Sequence, residues 1–325
     1  MRKILYSVRR IYYMILAIIG VPANSIVIMI LSRRRCGLSS CTTLYLVAMA
    51  VADLLVIIFE VILWRTSYYF FPGSFLEITP LCSVIFFLGC TASDWSVWFT
   101  ITFSFDRFVA ICIRKFRSTY CTEKTAAVTL ITTAVLFFLK NVPFYFTLES
   151  AEIINNIPWF CFTKPSYFTE PGWVGFNWFD TVLNPLLPFT LILFLNALTV
   201  RHIMGASRVR KRLKLQSKGE NQRDLEMENR RKSVVLLFTV SGSFILLWLI
   251  DVMEFLYYYI TGTDPSAYND SLYIFQQVGI MMRSLSSCTN TFIYGVTQTK
   301  FREEIKCSVK YPLTSFVKLI INRNN

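Results

Sequence analysis

The sequence is poor in charge. Asp, Glu, Lys and Arg make up 16% of its 325 residues, where a soluble domain carries about a quarter. It holds a single histidine, His202. No Ser–His–Asp grouping and no cluster with metal-ligand spacing is found, which argues against an enzyme. The ten-residue alternation of a membrane β-barrel is absent. So are internal repeats and Gly- or Pro-broken spans at matching positions, which a transporter or channel built on inverted repeats would show. No stretch between apolar runs is long enough for a soluble domain.

What is abundant is apolar length. The chain is 54% hydrophobic, and a membrane-crossing helix needs about 20 mostly apolar residues. Seven runs qualify, over roughly 11–32, 42–64, 79–105, 125–147, 174–200, 233–260 and 272–296. The expected fold is an all-α membrane protein, a seven-transmembrane helix bundle within residues 1–310. A short amphipathic eighth helix over 298–310 and a short cytoplasmic tail over 311–325 follow. In "TKFREEIKCSVK", Phe301, Ile305 and Val309 recur every four residues, as suits a helix lying on a membrane surface.

Net charge is +13, and 24 of the 33 lysines and arginines lie after the first, third, fifth and seventh runs. Basic loops stay in the cytoplasm, which puts the C-terminus inside and the N-terminus outside, with the plasma membrane as the expected location. Arg2, Lys3, Arg9 and Arg10 argue the other way. A cleaved signal is discounted, because the first run is long, ends in Arg33-Arg34-Arg35 and lacks a small-x-small site. The basic stretches are short loops, which disfavours nucleic acid as a partner. Of nine cysteines, Cys82 and Cys161 fall at the outer edge. A bridge between them would tie the third run to the loop after the fourth in an oxidising compartment; the alternative is two free thiols.

In "ITFSFDRFVAIC", Asp106 and Arg107 stand together among apolar residues. Burying such charges costs several kcal/mol unless they pair or reach water. Arg107 follows Cys82 by 25 residues, or about 37 Å of helix, so the pair lies at the inner mouth of the third span. Here the chain resembles the rhodopsin-like G-protein-coupled receptors, whose third helix ends in Asp-Arg-Tyr; Phe108 is a mild departure. Asn24 in "GVPANSIVIMILS", Ala50, Ala52 and Asp53 in "MAVADLLVI", and Pro188 in the fifth span extend the likeness. So do Phe244 and Trp248, and Asn290 and Tyr294 in "NTFIYG". It covers roughly residues 11 to 310. The departures are a fourth span without tryptophan, Asn196 at an inward tyrosine, and Ile250 and Thr291 in place of two prolines. Asn196, Thr291 and the string "LLFTVSGSFILLW" look like the G-protein coupled receptor 139 group, which answers aromatic amino acids; Ile250 is unusual even there.

The resemblance implies a receptor that binds a ligand outside and activates a heterotrimeric G protein inside. Arg107 would carry the coupling, held by Asp106 at rest, with Phe108 and Tyr294 beside it. Phe244 and Trp248, with Pro188 and Asn290, would form the switch beneath the ligand. Residues 201–232 would face the G protein and anionic lipid of the bilayer. The resemblance also brings Asp53, Ser96, Ser287 and Asn290 together, with Asn24 beside them. That set suits a sodium ion, or equally a hydrated layer around a protonated Asp53. No other cofactor is expected. A receptor that binds without signalling is the alternative, favoured by the lost prolines.

Two readings come from spacing and charge. Glu60 is seven residues outward of Asp53 and Arg283 seven outward of Asn290, which predicts a salt bridge between spans 2 and 7. Otherwise Arg283 stays free for a ligand carboxylate. The outer halves also hold Asp94, Asp180, Asp251 and Glu254 near Trp64, Phe255, Tyr258, Tyr273 and Gln277. Acids with aromatic walls favour a cationic or amine-bearing ligand, whether aromatic and amino-acid-like or a peptide. Asp251 is the leading acid, being almost one turn outward of Trp248, where the receptor 139 group carries a base; acids that pair with nearby bases are the alternative. The N-terminal segment is too short for a large ligand-binding domain, so the site is expected among the helices. Asn269-Asp270-Ser271 is a glycosylation sequon, and Cys307 a candidate for palmitoylation.

Overall fold

The computed structural model describes residues 1–34, 36–214, 221–263 and 268–306. Seven long helices dominate it: α1 (Arg2–Ser32), α2 (Ser40–Phe70), α3 (Thr79–Cys112), α4 (Glu123–Thr147), α5 (Pro171–Gly205, helical on to Lys214), α6 (Asn221–Thr261) and α7 (Asp270–Thr297). The first five are each long and apolar enough to cross a membrane, as is Val234–Tyr258 within α6. α7 is 28 residues long but more polar. Its polar side chains Gln277, Ser284, Ser287 and Asn290 are buried, so the polarity faces the bundle rather than the surroundings.

Several ends differ from expectation. α1 starts nine residues early, so the basic N-terminal decade is helix. Arg2 meets Asp270 at 2.9 Å and lies over the Tyr273 ring, while Arg10 lies over Phe70. Ser39 and Thr122 cap α2 and α4, their hydroxyls accepting from the amides of Thr42 and Thr125. In α2 the winding loosens to a π-helix over Ile57–Thr66. α5 breaks at Asn184 (φ −155°, ψ 101°). The ring of Pro185 disfavours helical dihedrals at the residue before it, so Pro185 sets the break rather than Pro188 further in. Beyond α7, residues 299–306 form a short helix whose Phe301 and Ile305 pack on the core. Val309, Cys307 and the 311–325 tail lie outside the described residues, as does part of the basic 201–232 loop.

The chain also forms one antiparallel hairpin, β1 (Leu148–Ile154) and β2 (Ile157–Thr163), with Ser150 opposite Cys161. Asn155 (φ 51°) and Asn156 (φ 61°) make its tight turn; two positive φ values suit Asn and match the twist of the strands. A disulfide joins Cys161 in β2 to Cys82 at the outer end of α3.

The buried apolar residues fall into inner, α1–α2–α7 and α3–α5–α6 groups, and the third is Val97, Ile101, Ile192, Phe244, Leu247 and Trp248. The outward faces are apolar too: Ile131, Leu136 and Leu139 on α4 are more than half exposed. In lipid such faces gain nothing by packing, so helices associate where small residues let backbones approach. Gly279 is such a place: a Cβ there would lie 3.2 Å from both N and Cα of Asp251 on α6. Gly279→Val is expected to force α6 and α7 apart at a cost of about 1–3 kcal/mol. Thermal unfolding in detergent would measure it; a midpoint equal to the parent's would show that the contact is slack.

Candidate functional site

The inner half of the bundle holds a buried polar layer. Asp53 Oδ1 accepts from the Ser96 hydroxyl at 2.5 Å, and Oδ2 accepts from Asn290 Nδ2 at 2.7 Å. Helix geometry puts Asp53 and Ser96 on facing sides of α2 and α3, and Asn290 comes from α7. Ser287 is buried nearby but contributes its backbone: Asn24 Nδ2 donates to the Ser287 carbonyl at 2.8 Å. Among the described residues, Ser287's hydroxyl and Asn24 make no recorded bond to Asp53, so the five predicted members form two linked pieces. Asn24 Oδ1 is buried without a partner.

At the inner mouth, Arg107 is 6% exposed and paired with Asp106, Nε standing 3.0 Å from Oδ2. The Cys41 thiol donates to the other oxygen at 3.2 Å. The pair is therefore buried, and its charges face each other rather than water. Phe108 is partly exposed beside Phe105. Tyr294 is buried edge-on to Phe301, its hydroxyl without a partner among the described residues. Above this level Phe244 stacks on Trp248, ring centroids 5.2 Å apart. Pro188 is buried on α5, and Asn196 Nδ2 bonds the Ser241 hydroxyl across α5 and α6 at 2.8 Å.

The outer half encloses a cavity of about 180 Å³. Trp64, Phe86 and Phe144 supply aromatic wall, and Trp248 also lines it. Its charged residues sort into two groups. On the α2–α6–α7 side, Arg283 stands 3.5 Å from Glu60 and 3.3 Å from Asp251, with its guanidinium over the Trp248 ring. Glu60 is shared with Arg65 at 3.5 Å and accepts from Ser93. The seven-residue step from Asp53 thus reaches Arg283 even though the winding loosens on the way. On the α3–α4–α5 side, Lys140 is 2.7 Å from Asp94 and also contacts Asp180. Asp94 accepts further bonds from Asn141 at 2.7 Å and from Asn184.

These pairings correct the reading of the acids as open to a ligand. Asp94 is filled by three protein donors, and Asp251 is held by Arg283. Glu254, Phe255, Tyr258 and Gln277 do not line the cavity. Glu254 turns to the start of α7, where the Tyr268 hydroxyl and Gln276 donate to it at 2.9 and 3.2 Å. Burial, then the Glu254 carboxylate, raises the Tyr268 hydroxyl well above its usual range, so it stays a donor. Gln277 bonds Gln276, and Tyr273 is covered by Arg2 and Arg9. Asn269 caps α7 by accepting from the Leu272 amide. Sequence reasoning missed Lys140, Asn141 and Asn184; the available signal was one lysine in the otherwise uncharged 125–147 run.

Comparison with known proteins agrees with this architecture. The profile described as 7 transmembrane receptor (rhodopsin family) matches residues 23–294. The chain is 24% identical over 300 residues to the FMRFamide receptor of Drosophila melanogaster, covering 89% of this chain and 51% of that one. It is 25% identical over 305 residues to neuropeptide receptor 22 of Caenorhabditis elegans, covering 90% and 67%. It is 24% identical over 335 residues to atypical chemokine receptor 3 of Rattus norvegicus, covering 97% and 83%. The chain spans about half the length of the FMRFamide receptor. The similarity runs to neuropeptide receptors rather than to the receptor 139 group in particular. A bundle of seven long helices with the Cys82–Cys161 bridge and a family match across most of its length is a receptor and not an enzyme: the chain belongs to the rhodopsin family of seven-transmembrane receptors.

Proposed function

We propose that this receptor sits in the plasma membrane with its N-terminus outside, binds an extracellular peptide in the outer cavity and activates a heterotrimeric G protein. The observation that carries it is the layout of α3. Its outer half lines the cavity at Asp94, and its inner end holds Arg107 buried against Asp106. A ligand that repacks Trp248 and Phe244 would shift the balance between two packings, one with Arg107 covered and one with it exposed. The relatives named for FMRFamide and neuropeptides favour a peptide over an aromatic amino acid. Four acids line the cavity or its floor against three bases, so a basic peptide fits better than an acidic one.

Asp53 and Ser96 would hold a sodium ion, with the partnerless Asn24 Oδ1 as a further oxygen. The ion would supply positive charge that keeps the layer packed, and Asn290, which now donates to Asp53, would have to turn.

The test is a panel of synthetic neuropeptide amides on cells expressing the chain, read by G-protein dissociation. At least one peptide is expected to drive dissociation. A second reading, binding without signalling, rests on Ile250 and Thr291 at the positions of two kinking prolines. Peptide binding with no dissociation of any G protein would select it.

A further inference from the structure

The two charged groups around the cavity are not equivalent. The α2–α6–α7 group balances Glu60 and Asp251 against Arg65 and Arg283. It also has donors to spare: Nε of Arg65 and Nε of Arg283 are buried without a partner among the described residues. The α3–α4–α5 group is the opposite. It sets Asp94 and Asp180 against Lys140 alone, leaving one uncompensated negative charge. It has acceptors to spare: Asn141, fully buried, and Asn184 both turn their Nδ2 to Asp94, and Oδ1 of each is buried without a partner. Asp94, Asp180 and Asn184 all line the cavity, and of the two acids Asp180 is the more open, its side chain 23% exposed against 5% for Asp94. Phe144 also lines the cavity, and its ring already has Lys140 Nζ 5.5 Å from its centroid.

We propose that the cavity has two poles and so fixes the direction in which a ligand lies. A cationic group binds at Asp180 and Asn184 Oδ1. It supplies the charge and the donors that side lacks. A neutral carbonyl, from a peptide or a terminal carboxamide, binds at Arg283 on the other side. A carboxylate is disfavoured there, because Glu60 and Asp251 already neutralise the local cations. Asp251, the acid singled out by sequence position, is a positioning residue for Arg283 and not the cation's partner. This deepens the peptide reading and rests on it.

The probe is N-acetyl-arginyl-phenylalanine amide, whose guanidinium is its one cation, with two analogues: citrulline in place of arginine, and the free acid in place of the amide. The purified full-length chain in detergent is titrated with each, and binding is read as a rise in unfolding temperature. No G protein is present, so failure of coupling leaves this readout untouched. The amide is expected to stabilise the parent and the citrulline analogue not to. Asp180→Asn is expected to weaken binding about tenfold or more. Without ligand it is expected to unfold no earlier than the parent, since Lys140 then faces one acid, which separates lost binding from misfolding. Asp251→Asn, which removes one of the two acids that hold Arg283, is expected to narrow the preference for the amide over the free acid while the citrulline analogue stays the weaker ligand. Equal binding of the citrulline analogue, loss of binding in Asp251→Asn but not Asp180→Asn, or no shift with the amide at millimolar concentration would each overturn the proposal.

Discussion

Lys140→Met is expected to cost the folded receptor about 3–5 kcal/mol, the range for removing one member of a buried ion pair. Lys140 is 9% exposed and is the base for both Asp94 and Asp180. Methionine fills its volume and removes its charge, leaving two carboxylates near each other with only Asn141 and Asn184 to donate. The cost comes from stranded charge rather than from lost attraction, because a buried pair is itself close to neutral in its net effect. Neutralising the acids should therefore restore what the single change takes. Lys140→Met with Asp94→Asn and Asp180→Asn is expected to unfold within a few degrees of the parent in detergent. If the single variant were as stable as the parent, the ammonium would not be holding α3, α4 and α5 together.

Arg107→Ala should reduce ligand-driven nucleotide exchange to the level of cells without the receptor. The same substitution leaves Asp106, 1% exposed, with the Cys41 thiol and no base among the described residues. It therefore confounds coupling with stability. The clean comparison is Arg107→Ala in an Asp106→Asn background, where no charge is stranded. That double variant is expected to reach the surface and stay silent. Asp106→Asn alone is expected to raise exchange without ligand, because the buried carboxylate that holds the guanidinium is gone. Ligand-driven exchange by the double variant would reject the assigned role of Arg107.

The seven spans were legible because crossing a bilayer demands about 20 apolar residues whatever the fold does. Some contacts between helices were also legible. The family likeness placed Asp53 with Ser96 and Asn290, and counting two turns outward from Asp53 and Asn290 paired Glu60 with Arg283. What counting does not give is the third partner. Whether Asp251 meets a ligand or Arg283 depends on how α6 leans on α7, and that depends on one glycine. Lys140 stood alone in an apolar run, where no neighbour in sequence shows that two acids from other helices converge on it. The hairpin turn at Asn155-Asn156 was written in the sequence, but the stretch between the fourth and fifth runs was read only as the loop that carries Cys161.

The close approach at Gly279 has a mechanical consequence. α6 is one helix of 41 residues, with Ile250 rather than proline beside the contact. A continuous helix gripped at Asp251 behaves as a lever with its fulcrum there. About 15 Å of rod lies outward to Thr261 and about 45 Å inward to Asn221 at 1.5 Å per residue. A displacement at the outer end is multiplied about threefold at the inner end by that ratio of arms. A stiff rod with a fixed pivot can thus move its inner end without bending, so the missing proline removes a hinge and leaves the stroke.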